Sequence, residues 1–158
     1  MPYSLPKRSL GAKGYRMDSP LTQIGLFQAT LVGRGMRDRD IKISHAFSSP
    51  GFRCIQTCDA ILKGLNQFET TPICNEPGIF EYLYLYKESP DWLSISELKE
   101  DGYNMNEEYE PFIKPDVLKK TRESIEQYYD RSFDVMQKII NLTKEQGIFF
   151  IKITFFLI

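Results

Sequence analysis

The sequence has 158 residues, of which 42% are hydrophobic and 13% aromatic, and its net charge is −1 at pH 7. This length suits a single domain, and the apolar content is sufficient for a packed core, which excludes a disordered chain. The nearly balanced charge gives no electrostatic footprint for nucleic acid or for an acidic membrane surface, so we expect neither as a partner.

The three cysteines, Cys54, Cys58 and Cys74, are an odd number and lack the spacing of metal ligands. We interpret them as buried thiols and expect neither a metal nor another cofactor. The amino-terminal residues lack the apolar core of a signal peptide, which predicts a cytoplasmic protein. The apolar stretch 148–158 is too short to cross a bilayer.

Residues 1–20 are basic and interrupted by prolines and glycines, which is typical of an irregular, solvated segment. The first helix is predicted over about 22–36. Its apolar and small residues suggest close packing against a sheet, namely Phe27, Leu31, Gly25 and Gly33. Apolar and polar residues then alternate over 41–48, which predicts a half-buried strand.

A second helix is predicted over about 51–66, because apolar residues recur there at spacings of three and four. These residues are Phe52, Ile55, Cys58, Ile61, Leu62 and Leu65. Ser49 and Pro50 predict its start, with a capping hydroxyl and a proline at the first helical position. Arg53 then lies in the first turn beside unpaired backbone amides. The amides, the helix dipole and the guanidinium together favour the binding of a phosphate. The alternative role for Arg53 is a surface ion pair.

A short second strand is predicted over 70–74, followed by a turn at 76–78. Residues 82–115 are the least regular part, with tyrosines placed among prolines and acids. Within them, a serine and a glutamate at capping-box spacing over 94–97 predict the start of one short helix.

The last helix is predicted over about 121–145, with Gly147 ending it. We expect one of its faces to be buried, formed by Ile125, Tyr129, Phe133, Met136 and Ile140. The apolar run 148–151 is typical of a strand that is buried on both faces. Helices that alternate with apolar strands predict an α/β fold, with a largely parallel sheet flanked by helices.

Three stretches also carry a family resemblance, in this order along the chain. They are Pro-Leu-Thr-x-x-Gly-x-x-Gln-Ala at 20–29, Ser-Pro-x-x-Arg-Cys-x-Gln-Thr at 49–57, and Glu-Pro-Gly-Ile-Phe-Glu at 76–81. Together they resemble the histidine phosphatase (phosphoglycerate mutase-like) superfamily. The resemblance is closest to the phosphatase domains of the suppressor-of-T-cell-receptor-signalling proteins and of the insect ecdysteroid-phosphate phosphatases, and it extends from residue 1 to about 147.

The resemblance implies a phosphoglycerate mutase-like fold and the hydrolysis of phosphate monoesters, such as phosphotyrosine or steroid phosphates, through a phosphohistidine. It implies that Arg53 binds phosphate and that Glu81 is the general acid, although the family more often has tryptophan where Tyr82 stands. Since that acid acts on the leaving group, we expect Glu81→Gln to change phosphate binding little. Region 82–115 would be an insertion over the active site, and its tyrosines either form a wall of that site or cover the core.

The family mechanism also requires two histidines, and neither has a counterpart in this chain. The nucleophile belongs to an Arg-His-Gly motif that is absent here, and Lys-Ile-Thr at 152–154 stands where the second histidine is expected. The single histidine, His45, occupies a position without a catalytic role in the family, so we interpret it as a structural or partly exposed residue.

We therefore expect an incomplete copy of the domain over 1–151, without the first strand and the C-terminal part of the fold, followed by a divergent apolar tail at 152–158. Such a chain is expected to be inactive, and three roles remain open. The first role is a residual phosphate- or protein-binding module. The second is a truncated product without an independent role, and the third is an active phosphatase when a longer isoform completes it. An uncovered sheet edge beside an apolar terminus also predicts self-association or a homodimer.

Overall fold

The computed structural model describes residues 5–86, 90–120, 122–145 and 149–152. In chain order the main elements are α1 (Gln23–Arg37), β1 (His45–Ser48), α2 (Phe52–Leu65), β2 (Ile73–Asn75), α3 (Ile95–Glu100), α4 (Pro115–Lys120), α5 (Ile125–Thr143) and β3 (Phe149–Lys152), with 3-10 helices at Gly11–Tyr15, Pro77–Ile79 and Leu83–Leu85. The predicted helices and strands occur in the predicted order, and α4 is an additional short helix that was not predicted. Within the described ranges, no helix is long and apolar enough to cross a membrane.

The sheet has the strand order β2-β1-β3, and both pairings are parallel. The outer edge of β2 is covered by an irregular segment, because the Ile73 amide donates to the Asn104 carbonyl at 2.7 Å and the Asn106 amide donates to the Ile73 carbonyl at 2.9 Å. At the opposite edge of the sheet lies β3, and no further strand pairs with it in the part of the chain that the structure describes. The predicted α/β fold with a parallel sheet is therefore confirmed.

The core lies on both faces of this sheet. Ala46 and Ile73 belong to a buried cluster with the apolar stripe of α2, whereas Phe47 and Cys74 pack with Val135 of α5 on the other face. Every apolar residue predicted for the buried face of α2 is buried. The three cysteines are also buried and form no disulfide, as predicted.

Helix α1 packs against α2 and not against the sheet, so the predicted packing partner is wrong. The two helices approach closely at Gly33 and Gly64, because a Cβ atom on Gly33 would lie 2.1 Å from the Ile61 carbonyl oxygen. Phe27 and Leu31 lie on roughly the opposite side of the helix and are 61% and 45% exposed. The small residues thus determine which side of α1 is buried, and the larger apolar ones face outward.

Helix α5 begins with a capping box at Ser124 and buries a different face from the predicted one. Its buried residues are Tyr128, Val135, Ile139 and Thr143, whereas Ile125, Tyr129, Phe133 and Ile140 are between 37% and 68% exposed. Of the predicted face, Met136 is partly buried and packs against the core cluster. Apolar residues occupy both faces, so their spacing alone does not define the rotation of the helix. The contact with Gly78 does, because a Cβ atom there would lie 2.7 Å from a methyl group of Val135. The predicted stop at Gly147 lies outside the described residues.

The outward apolar faces of α1 and α5, together with the edge strand β3, generate a prediction about association. Phe27 and Phe133 are 61% and 68% exposed, so replacing both with glutamate should weaken contacts between copies of the chain. In size-exclusion chromatography we expect the parent chain to elute earlier as its concentration rises, and the double variant to elute as a monomer. Gln137→Glu, an exposed polar change on α5, should leave the elution unchanged, and a monomeric parent chain would contradict the prediction.

Candidate functional site

Arg53 and Glu81, the two site residues that the sequence singles out, form an ion pair. Their side chains are 17% and 2% exposed, so the pair is largely shielded from water. Tyr86 completes the cluster, because its hydroxyl donates to the Glu81 Oε1 atom and accepts from the Arg53 Nη2 atom at 3.4 Å. The fold therefore brings together three side chains from the start of α2 and from the segment that follows β2.

The protonation states in this cluster follow from burial and from the neighbouring charges. Burial, followed by the hydrogen bond to Glu81, raises the pKa of Tyr86 far above its ordinary value. Burial alone would lower the pKa of Arg53, but the hydrogen bond with Tyr86 and the charge of Glu81 outweigh it and raise that pKa overall. At neutral pH Tyr86 is therefore a neutral hydrogen-bond donor and Arg53 a cation.

The start of α2 differs from the predicted one. The residue that precedes the helix is Gly51, and no side chain of the 49–51 turn caps it. The cap comes from Asp18, whose Oδ1 atom accepts a hydrogen bond of 2.7 Å from the Phe52 amide. The amide of Cys54 donates to the Gly51 carbonyl at 2.8 Å. Because these two amides have partners, an anion at this site would depend more on the Arg53 guanidinium than on the helix terminus.

The predicted solvated segment has three exposed basic residues, Lys7, Lys13 and Arg16, but Arg8 is an exception. The side chain of Asp18 is held by Arg8. The two side chains are only 1% and 3% exposed and form an ion pair of 2.5 Å. Burial raises the pKa of Asp18, while its bonds to Phe52 and Arg8 act in the opposite direction. Arg8 is buried because it balances the carboxylate that caps α2, and this contact attaches the segment before α1 to the start of α2.

Glu81 is positioned through a second buried carboxylate, that of Glu76. The Glu76 side chain is completely buried and accepts four hydrogen bonds. The donors are the Gly78 amide at 2.7 Å, the Tyr109 hydroxyl at 2.7 Å, the Phe112 amide at 2.7 Å and the Ile113 amide at 3.3 Å. Glu76 therefore joins the turn before Glu81 to the far end of the irregular region.

Arg131 of α5 holds the same segment from the other side. Its guanidinium forms a two-pronged ion pair with Glu123, at 2.8 and 2.7 Å. It also donates to the carbonyls of Gly78 and Phe80, at 2.6 and 3.1 Å. The backbone on which Glu81 is carried is thus attached to α5, and charge-assisted bonds of this kind are stronger than neutral ones.

The aromatic residues of 82–115 divide between the two roles that the sequence left open. Three of them cover the core: Trp92 packs on Phe80, Tyr103 on Phe52 and Tyr109 on Phe47, with ring centroids 4.8–5.8 Å apart. Tyr86 instead contacts the site, and Tyr84 is 78% exposed. The tyrosine pattern alone did not distinguish these roles.

A cavity of about 310 Å³ opens beside the cluster. Its lining combines two arginines with apolar and hydroxyl side chains, namely Arg16, Met17, Ser19, Arg53, Leu85 and Tyr86. Neither Arg16 nor Tyr86 is recognisable from the sequence alone as a residue of this cavity. Tyr86 was visible only as one of several tyrosines, and no local pattern marked Arg16.

His45 lies at the other end of β1 from this cavity. It is three residues before the end of the strand, which corresponds to about 10 Å at 3.3 Å per residue. Its ring is partly exposed, with Nδ1 3.1 Å from the Ser44 hydroxyl, in keeping with the interpretation as a non-catalytic residue. Among the described residues, no group of three or more His, Cys, Asp or Glu side chains is arranged to hold a metal ion.

Comparison with known proteins shows the family of this chain. The family model of the histidine phosphatase superfamily (branch 1) matches residues 8–152. The chain belongs to the histidine phosphatase superfamily. The resemblance inferred from three short motifs is thereby confirmed over nearly the whole chain.

Similar members of this superfamily come from insects and mammals. The chain is 38% identical over 146 residues to ecdysteroid-phosphate phosphatase of Drosophila melanogaster, and this covers 90% of the chain and 19% of that protein. It is 40% identical over 149 residues to human ubiquitin-associated and SH3 domain-containing protein B, covering 93% of the chain and 23% of that protein. The chain thus spans about a fifth of the length of these relatives.

A solved histidine phosphatase structure has the same fold. The ecdysone phosphate phosphatase of Bombyx mori, crystallised in complex with tungstate, superposes with a TM-score of 0.87 at 34% identity. The match covers 97% of this chain and 58% of that one. The phosphoglycerate mutase-like fold implied by the resemblance is therefore confirmed.

The four hydrogen bonds to Glu76 predict that this residue has a large effect on stability. Glu76→Gln removes the charge and turns one acceptor oxygen into a donor, so at least one buried donor loses its partner. We expect the free energy of unfolding to fall by about 2–4 kcal/mol, since each unsatisfied buried donor costs roughly 1–3 kcal/mol. Urea unfolding measures this loss. Glu107→Gln, at a side chain that is 59% exposed, should change stability by less than about 1 kcal/mol, and equal effects of the two changes would contradict the prediction.

Proposed function

We propose that this chain binds phosphate monoesters, such as phosphotyrosine or steroid phosphates, through Arg53, and that by itself it does not hydrolyse them. The observation that carries this proposal is the Arg53 side chain, which lines a cavity of about 310 Å³ and is paired with the buried Glu81. The fold family supports it, and so does the tungstate in the Bombyx mori relative, because tungstate is a tetrahedral oxyanion like phosphate.

The ion pair determines how tightly a phosphate can bind. Arg53 already donates to Glu81 and Tyr86, so an incoming phosphate competes with both for the guanidinium. A charge-assisted hydrogen-bonded pair contributes about 1.5–3 kcal/mol, which corresponds to dissociation constants on the order of millimolar or weaker. The buried carboxylate of Glu81 therefore weakens the binding of a ground-state phosphate.

The same carboxylate suits the role of a general acid. Its second oxygen, Oε2, is buried and has no hydrogen-bond partner in the described part of the chain. A protonated carboxyl group in this position can donate to the oxygen of a leaving alcohol, provided that the substrate brings that oxygen within hydrogen-bond distance. Tyr86 then orients Glu81 by donating to Oε1, so that the proton is carried on the other oxygen.

The nucleophile is the missing component. A phosphohistidine mechanism needs an imidazole beside the bound phosphate, and the single histidine of this chain lies at the opposite end of β1. We propose that a longer isoform containing these residues would supply the nucleophile and use Arg53 and Glu81 for catalysis. We also propose a cytoplasmic location, in keeping with three buried cysteines that form no disulfide.

The first test of this function is a titration with inorganic phosphate, followed by NMR shifts of the amides of residues 49–54. We expect weak binding that is lost in Arg53→Ala. Glu81→Gln should bind phosphate several-fold more tightly, because the guanidinium then has no competing carboxylate. This replaces the expectation, drawn from the sequence, that the change would be neutral. Arg37→Ala, an exposed arginine paired with Asp38, is the control and should bind as the parent does.

The outcomes of this titration are distinct. Amides that do not move at tens of millimolar phosphate would overturn the proposed site. Equal shifts in Arg53→Ala would show that the helix amides, and not the guanidinium, bind the anion. Unchanged affinity in Glu81→Gln would show that the ion pair does not compete with the ligand.

A second test concerns turnover. With p-nitrophenyl phosphate as substrate, the purified chain should release nitrophenol no faster than buffer does, since no imidazole is placed to form a covalent intermediate. His45→Ala should behave in the same way. Turnover above the buffer rate that disappears in Arg53→Ala would contradict the proposal and show that another group of this chain acts as the nucleophile.

A further inference from the structure

The cavity beside Arg53 contains a second guanidinium, that of Arg16, which neither the motifs nor the ion-pair cluster explains. We propose that Arg16 is a second anion-binding residue of this cavity and selects phosphate monoesters whose organic group carries another negative charge. This inference rests on the proposed function, in which Arg53 binds the phosphate group.

The first observation is that contacts of Tyr15 and Asp18, which flank Arg16 in the sequence, attach its segment to the start of α2. The Tyr15 ring packs against Phe52, with centroids 5.9 Å apart. Asp18 accepts from the Phe52 amide at 2.7 Å. Phe52 is the residue immediately before Arg53, so the segment that carries Arg16 and the helix start that carries Arg53 form one packed unit.

The second observation is the charge balance around the cavity. Arg53 faces Glu81, and Arg8 faces the buried Asp18. Arg16 is exposed and forms no ion pair within the described residues. Among the described residues, the two carboxylates therefore balance two of these three arginines, and the remaining positive charge is on Arg16.

The third observation is the rest of the cavity lining. Met17, Leu85 and the ring of Tyr86 line the cavity with apolar atoms. Its volume of about 310 Å³ lies at the lower end of the range for small-molecule sites, roughly 300–1,000 Å³. Such a cavity fits an aromatic or short aliphatic group that has a phosphate at one end and a second anion, such as a carboxylate, at the other.

The experiment compares phenyl phosphate with 3- and 4-carboxyphenyl phosphate, using the amide shifts of residues 49–54 at moderate salt. At least one carboxylated ligand should bind the parent chain about two- to fivefold more tightly than phenyl phosphate, as expected for a partly exposed ion pair. In Arg16→Gln this ratio should fall to about one, while phenyl phosphate binds as before. Arg34→Gln is the control. Arg34 is exposed and lies about 16 Å along α1 from its first residue, so this change removes the same charge and should keep the ratio.

The outcomes separate this inference from the function on which it rests. If phenyl phosphate does not bind, or binds equally well to Arg53→Ala, the proposed function fails and the role of Arg16 fails with it. If phenyl phosphate binds through Arg53 but neither carboxylated ligand binds more tightly, only the role of Arg16 is overturned. A preference that persists in Arg16→Gln, or that disappears equally in Arg34→Gln, would also overturn it.

Discussion

The geometry of the site depends on one buried carboxylate, that of Glu76. A fully buried charge is costly unless hydrogen bonds replace the water it has lost, and Glu76 accepts four of them. Those bonds connect the turn after β2 to residues 109–113, at the end of the long irregular region. Arg131 and the packing of Phe80 against Trp92 hold the segment that carries Glu81 as well, but they do not connect it to residues 109–113.

A second buried carboxylate, that of Asp18, also joins two segments that lie near Arg53. Asp18 caps α2 in place of a local residue and is balanced by Arg8. Both carboxylates accept hydrogen bonds from backbone amides of segments that are distant along the chain. Such amides are more often capped by the side chain of a residue close in sequence. The walls around Arg53 are therefore made of irregular backbone that is held by charge, and not by regular secondary structure.

The pairing of Arg53 with Glu81 connects this scaffold to the proposed chemistry. Arg53, which we propose as the phosphate-binding cation, is paired with Glu81, which we propose as the acid, and Tyr86 bridges the two. Both contacts of Arg53 in this cluster use its Nη2 atom, so in the proposed function a substrate phosphate shares the guanidinium with Glu81. An enzyme gains from such an arrangement only if the transition state binds more strongly than the ground state does. Weak binding of the ground state is then compatible with a role of the same residues in catalysis.

The sequence by itself determined the features that depend on residues close together in the chain. The apolar stripe of α2 and the capping box at 94–97 depend on spacings of three and four residues, and the structure has both. The alternation of helices and apolar strands was sufficient for the α/β class. The motifs at 49–57 and 76–81 were sufficient to select Arg53 and Glu81, because inheritance preserves local sequence even where no local physics requires it.

Only the tertiary structure decided which distant residues meet. Asp18 caps an amide 34 residues away, and Arg53 pairs with a carboxylate 28 residues away. The rotation of α5 depended on a glycine at 78, since apolar residues on both of its faces left two choices open. Arg16 has no local pattern at all, and it lines the cavity because its neighbours pack on Phe52. Such contacts depend on how the segments are arranged around the sheet, and no window of a few residues contains that information.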